Sequence, residues 1–218
     1  MNKLVNIFVL LLSFICSPSI AQWVDHEKRL PDIVVAQDPW APVEVIMYFS
    51  FSCGHCAQFH NESWDKFKKD YVDTGKVKVV LRDVALDLVG YCTSNYANML
   101  SREDYLKFFD ISMKNQTEWL KQKDQLDYFV KMAQMAGLPK VDLDQLREDT
   151  IVSDKVLARW NEAKKKYYLD GTPGFIINGK IYNYYMKYDE FEAKVKEELN
   201  FVTKNEIKPV VVSQNSKS

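Results

Sequence analysis

Val43-Glu44-Val45-Ile46-Met47-Tyr48-Phe49-Ser50-Phe51-Ser52-Cys53-Gly54-His55-Cys56 is the stretch whose reading decides the fold. Val43 to Ser50 is apolar on both alternations, the pattern of a strand buried on two faces. The two thiols follow at a spacing that permits a small-ring disulfide. A helix-patterned run comes next, with Ala57, His60, Trp64, Phe67 and Tyr71 at intervals of three and four, one continuous core stripe. Strand, Cys-x-x-Cys, then helix puts Cys53 at a helix N-terminus. There the unpaired backbone N–H groups and the helix dipole favour a thiolate, the species that attacks disulfides.

Other chemistries for the two cysteines are weaker. Zinc needs four ligands, and structural sites recruit a second Cys/His pair at short spacing. Downstream of Ala21 only Cys92 and scattered histidines remain, so no metal site is expected. Covalent haem attachment needs a His after the second Cys, where Ala57 stands. A purely structural disulfide does not fit an opening position directly after a buried strand. His60 falls on the core stripe and reads as a core histidine with a hydrogen-bond partner. Its place one turn beyond Cys56 leaves a role in proton transfer open.

Outward from this centre, Gln22 to Pro42 carries Pro31, Pro39 and Pro42 and reads as an irregular arm with one short strand at Ile33-Val34-Val35. Thr74-Gly75 is a turn, and Val77 to Arg82 has the period of a second strand. From Asn95 to Tyr168 the chain reads as nearly all helical. Ser101 and Asp104 form a capping box opening a helix over Tyr105–Met113. Leu126, Phe129, Val130 and Ala133 make another stripe that ends at Gly137 and Pro139. A longer helix is predicted from Ser153 to Tyr168, with Val156, Leu157, Trp160 and Ala163 inward and Lys164-Lys165-Lys166 at its solvated end. Phe175-Ile176-Ile177 and Lys180-Ile181-Tyr182 form a hairpin around Asn178-Gly179, the dipeptide of a type I′ turn. Asp189 is expected to cap a closing helix with Phe191, Val195 and Leu199 on one face. Beyond Asn200 the composition turns polar, and a flexible tail is predicted over 201–218.

The first 21 residues read as a signal peptide: Lys3, an apolar run from Leu4 to Ile15, and Ser19-Ile20-Ala21 before a cleavage point at Gln22. The run is short of the roughly 20 residues a bilayer span requires, so no stable membrane insertion is expected after cleavage. Cys16 would be removed with it. An exported, periplasmic protein in an oxidising compartment is the expectation. Hydrophobic residues make up 47% of the 218-residue chain, ample for a core in one domain, and the formal net charge of −1 offers nothing to nucleic acid.

Three stretches carry a family resemblance. They are Phe49-Ser50-Phe51-Ser52-Cys53-Gly54-His55-Cys56 with Phe59, Leu81-Arg82-Asp83, and Gly171-Thr172-Pro173 leading into Phe175-Ile176-Ile177-Asn178-Gly179-Lys180. With the order of elements they resemble the DsbA-like thiol:disulfide oxidoreductases, from about Val43 to Leu199. The resemblance implies an α/β fold of the thioredoxin type, a central mixed β-sheet flanked by helices, with an inserted α-helical subdomain over approximately 95–168 in a domain of residues 22–200. It implies that Cys53 is the catalytic nucleophile and Cys56 the resolving thiol, together the redox-active disulfide. Gly54 and His55 tune the potential, and a charged His55 would favour the Cys53 thiolate. Pro173 would be a cis-proline beside the sulfurs, with the Thr172 backbone binding an extended substrate segment. No cofactor is implied.

Two positions depart from the family pattern. Many thioredoxin-like proteins hold a buried acid six residues before the first Cys, where this chain has Met47; Glu44 points to the opposite face of the strand. Proton transfer to Cys56 must then use water, His60 or another group, which weakens a thioredoxin-type reductase reading. Cys92 has no partner besides the active-site pair and reads as a small buried hydrophobe. The functional expectation is a dithiol oxidase. It would pass disulfides to reduced exported proteins and be reoxidised by a membrane-bound DsbB-like partner. The alternatives are a disulfide isomerase served by a DsbD-like reductant, since Cys-Gly-His-Cys also resembles the isomerase motif, and a metal- or apocytochrome-binding thiol chaperone. Exported isomerases are usually dimers joined through an added N-terminal domain. The arm before Val43 is too short for one, which tips the balance to oxidase.

Overall fold

The computed structural model describes residues 32–148 and 150–205. The signal peptide, Cys16, Pro31 and residues 206–218 of the predicted tail lie outside them. Five strands form one mixed sheet in the order β1-β3-β2-β4-β5: β1 Ile33–Val35, β2 Val43–Phe49, β3 Val77–Asp83, β4 Gly174–Ile177 and β5 Lys180–Tyr182. β2 runs parallel to β3 and antiparallel to β4, with Met47 opposite Leu81 on one side and Phe175 on the other. This is the thioredoxin arrangement of the sheet, and each strand lies where the sequence pattern places it.

Alternation along β2 builds the two sides of the core. Val43, Val45, Met47 and Phe49 enter the larger cluster, with Phe59 and Phe67 from the active-site helix and Phe191 and Val195 from the last helix. Ile46 and Tyr48 enter the second cluster, with Val80, Ile176, Trp160 and Ala163. Glu44 lies on the same side as Ile46 and Tyr48 and pairs with Lys78 at 2.9 Å. Met47 is buried on the active-site face.

The active-site helix begins as α1 (Gly54–Phe59), widens into a π-helical turn at His60–Trp64, narrows through α2 (Asp65–Phe67) and widens again at Lys68–Val72. The predicted stripe of Ala57, His60, Trp64, Phe67 and Tyr71 is buried throughout. At the hairpin, Asn178 and Gly179 take φ of 46° and 87°, the left-handed values a type I′ turn demands.

The helical segment comprises α3 (Leu88–Met99), α4 (Arg102–Lys114), α5 (Gln116–Leu120), α6 (Gln125–Met135), α7 (Leu143–Glu148) and α8 (Thr150–Tyr167). Helix begins at Leu88, earlier than the expected Asn95, because the Asp87 carboxylate caps it by accepting the Gly90 N–H at 2.6 Å. Ser101 caps α4 by accepting the Asp104 N–H at 3.1 Å. Leu157 is 43% exposed, against the inward position expected for it. It stands one residue past buried Val156, about 100° around the helix from the stripe that Val156, Trp160 and Ala163 form. Trp160 and Ala163 cover the second face of the sheet, so the end of α8 belongs to the sandwich itself.

The last helix, α9 (Tyr188–Asn205), corrects two expectations. Asp189 lies inside its first turn, where it favours the helix dipole without capping. The helix also continues past Asn200, because Val202 extends the buried row of Phe191 and Val195.

Sheet and inserted helices share one core. Phe51, from the loop between β2 and α1, packs on Phe49 and on Phe108 of α4, each at a ring separation of 5.2 Å, and Phe108 contacts Tyr96 of α3 at 4.9 Å. The active-site loop is therefore anchored in the seam between the two parts. No helix among the described residues is long and apolar enough to cross a membrane.

Candidate active site

Cys53 is the N-cap of α1, in extended conformation, and its sulfur accepts the Cys56 N–H at 3.4 Å. Across the seam the same sulfur donates to the Thr172 carbonyl at 3.2 Å. Thr172 and Pro173 precede β4, which pairs with β2 and so brings residues remote in sequence against the thiol. The Thr172–Pro173 peptide is cis. Pro173 is buried and Thr172 partly so, with Thr172 Oγ1 buried and unbonded among the described residues.

The two thiols sit in opposite environments. Cys53 is partly exposed, while Cys56 is fully buried. The Cys56 side chain and the backbone N–H groups of Cys56 and His55 bring the Cys53 thiol down to about 6, against the upward push of burial. Burial, then the neighbouring Cys53, hold Cys56 well above the ordinary thiol range. One sulfur is thus ready to be a thiolate and the other is kept as a thiol.

His55 and Gly54 are exposed. The backbone N–H of His55 is among the groups that lower the Cys53 thiol. The ring leans on Tyr185 at 5.4 Å, and Tyr185 donates to Glu62 at 2.9 Å. His60 is buried, as a core histidine should be, against Trp64 and Phe109. Its Nε2 stands 3.3 Å from the Asp110 carboxylate without hydrogen-bond alignment, and its Nδ1 is 3.4 Å from Asn61 Oδ1. Burial pushes its imidazole below the ordinary value. Cys92 is buried in the main core on α3, and burial raises its thiol.

Sequence reasoning missed three parts of the loop's support. Ser50 and Ser52 share a hydroxyl contact at 3.1 Å. A Cβ on Gly90 would stand 2.8 Å from the Ser52 hydroxyl and 2.9 Å from that of Ser50, so α3 approaches the loop at a distance only glycine allows. Gln116 donates from its side-chain amide to the carbonyls of Phe51 and Cys53. No local pattern announces Gly90 or Gln116, because their partners lie far away in the chain.

The opposed thiols predict a pH profile. Alkylation of Cys53 in the reduced protein should have its midpoint near pH 6, with Cys56 and Cys92 unreactive until the protein unfolds. The Cys53 pKa is lower folded than unfolded. Its stabilisation of the reduced fold is therefore complete above the ordinary thiol range and is lost as pH falls through about 6. A midpoint near the unperturbed value of about 8.5 would remove the physical basis for a reactive Cys53.

Comparison with known proteins agrees with this geometry. A family model described as Thioredoxin matches residues 32–197. A Rickettsia prowazekii protein with the provisional name protein-disulfide oxidoreductase is 26% identical over 173 residues, covering 76% of this chain and 61% of the relative. The Disulfide bond formation protein D of Bacillus subtilis is 25% identical over 171 residues, covering 73% of each. The crystal structure of Wolbachia pipientis alpha-DsbA1 superposes with a TM-score of 0.72 at 24% identity, over 84% of this chain and 99% of that one, and shows a common fold. The chain spans 61% of the length of the Rickettsia prowazekii relative and 53% of one from Rickettsia bellii.

Proposed function

The chain belongs to the thioredoxin family, and from that premise we propose that it is an exported, periplasmic protein-disulfide oxidoreductase of the DsbA-like kind, acting as a dithiol oxidase. The observation that carries this reading is the division of labour between the thiols: an accessible Cys53 with its pKa near 6 and a buried Cys56 held protonated. Stabilising the Cys53 thiolate stabilises the reduced form alone, and a protein whose reduced form is favoured is a strong oxidant.

The reaction starts from the Cys53–Cys56 disulfide. A substrate thiolate attacks the Cys53 sulfur, the Cys53–Cys56 bond breaks, and Cys56 leaves and takes up a proton. A second substrate thiolate then attacks the substrate sulfur of the mixed disulfide and expels Cys53 as a thiolate. Two electrons pass from the substrate dithiol, which becomes a disulfide, to the protein, which becomes the dithiol. Cys53 is a good leaving group because its thiol is acidic. The Thr172 carbonyl offers an extended substrate a main-chain acceptor beside the sulfur. Gly54 and His55, both exposed, present the motif to the partner. Reduced exported proteins are the substrates, and a membrane-bound DsbB-like protein restores the disulfide.

The test compares two activities of the isolated protein. It should oxidise a reduced two-cysteine peptide stoichiometrically within the mixing experiment, and refold a scrambled multi-disulfide protein poorly. Efficient unscrambling with sluggish peptide oxidation would make it an isomerase instead.

A further inference from the structure

Gln116 opens α5, in the inserted helices, with its side chain buried and the residue 3% exposed. Its Nε2 donates to the Phe51 carbonyl at 2.8 Å and to the Cys53 carbonyl at 2.9 Å. These two carbonyls bracket Ser52. The Cys53 carbonyl is also the first acceptor of α1, taking the N–H groups of Cys56 at 3.1 Å and Ala57 at 3.2 Å. One amide thus fixes the peptide planes on both sides of the Ser52–Cys53 step, and with them the direction in which the Cys53 side chain leaves the backbone. The amide is firmly mounted. Trp119, three residues on, is fully buried and bonds from its indole N–H to the Ser112 carbonyl at 3.0 Å.

We infer that Gln116 is a positioning residue for disulfide exchange at Cys53, setting the balance between the dithiol and disulfide forms by holding the Phe51 and Cys53 carbonyls. The inference rests on the oxidase reading above and adds a determinant of its driving force. In the dithiol the Cys53 sulfur is held by non-covalent contacts, to the Cys56 N–H and, while it is protonated, to the Thr172 carbonyl, and both depend on how the loop presents it. In the disulfide the sulfur is held covalently by Cys56 and needs less support. The clamp therefore stabilises the dithiol more than the disulfide, and its loss makes the protein a weaker oxidant. A purely architectural residue would stabilise both forms alike and leave the equilibrium where it is.

Gln116→Met keeps the length of the side chain and removes both donors. Equilibrated with glutathione, it should shift about three- to tenfold toward the disulfide form, matching a rise of about half to one unit in the Cys53 alkylation midpoint. Phe129→Leu, in the aromatic core of the insertion, serves as the architectural comparison and should lower the melting temperature without moving the equilibrium. An equilibrium for Gln116→Met within about twofold of wild type, the factor that a 0.3-unit shift represents, overturns the proposal and leaves the oxidase reading intact. Failure of the wild-type protein to exchange with glutathione at all would overturn both. Where Gln116→Met does not fold, the wild-type protein decides. The Gln116 side-chain amide protons should exchange slowly with solvent and differ in chemical shift between the oxidised and reduced forms. Fast exchange, or identical shifts in the two forms, overturns the inference.

Discussion

Cys53→Ser should reduce oxidation of a two-cysteine peptide to the rate seen in buffer alone. A serine hydroxyl stays un-ionised at neutral pH and forms no disulfide, so neither exchange step remains. Cys56 does not substitute for it, being fully buried with its thiol raised well above the ordinary range by burial. Cys56→Ser should behave differently. Cys53 would keep its N-cap position, attack glutathione disulfide as the thiolate, and accumulate as the mixed disulfide because no internal thiol resolves it. Intact-mass measurement separates the two: one glutathione adduct on Cys56→Ser and none on Cys53→Ser. Peptide oxidation by Cys53→Ser, or an adduct placed on Cys56, would reverse the assignment of nucleophile and resolving thiol.

Asp83→Ala should be the most damaging substitution away from the sulfurs. Asp83 ends β3 with no exposed surface, and its carboxylate receives Arg159 at 2.8 Å, Tyr105 OH at 2.9 Å and Asn98 Nδ2 at 2.8 Å. Three helices, α3, α4 and α8, are thereby tied to one strand end. Removing the carboxylate strands a buried guanidinium, and breaking such a pair costs about 3–5 kcal/mol. The neighbouring Arg82–Asp32 pair is equally short, at 2.7 Å, but its side chains retain 17% and 25% of their exposure. Asp32→Ala is the paired comparison and should cost clearly less, because the partly exposed Arg82 guanidinium can turn to water. Urea unfolding of the reduced proteins measures both. A loss below about 1 kcal/mol for Asp83→Ala would mean that Arg159 finds water or another acceptor, against the buried-pair expectation.

Asp83 also shows how the motif stretches relate to the structure. Leu81-Arg82-Asp83 contributed to the family resemblance without a stated role, and only the packed structure shows the acid inside a ring of helix side chains. The sulfur site was legible to a greater degree. Cys53 at a helix start after a buried strand, Cys56 inward, and Thr172-Pro173 beside them are where the sequence reading put them. The ring of His55 takes a direction that the local sequence does not indicate, because on an exposed helix start a tertiary neighbour sets it. Here Tyr185 draws the ring aside.

What this sequence determined by itself is what depends on near neighbours along the chain. The two-sided strand Val43–Phe49, the stripe from Ala57 to Tyr71, the Ser101 cap and the Asn178-Gly179 turn are written in periodicities and φ preferences that operate within a few residues. The acidity of Cys53 was partly foreseeable for the same reason, since a helix N-terminus is a local object. Tertiary structure alone decided what crosses the seam: the Gln116 amide on carbonyls 65 and 63 residues earlier, Gly90 against the Ser50 and Ser52 hydroxyls, and the Thr172 carbonyl on a sulfur 119 residues away. Hydrogen bonds and close approaches of this kind depend on where the sheet and helices bring backbone groups together. Unlike a helical stripe, they impose no spacing on the sequence that could be read beforehand.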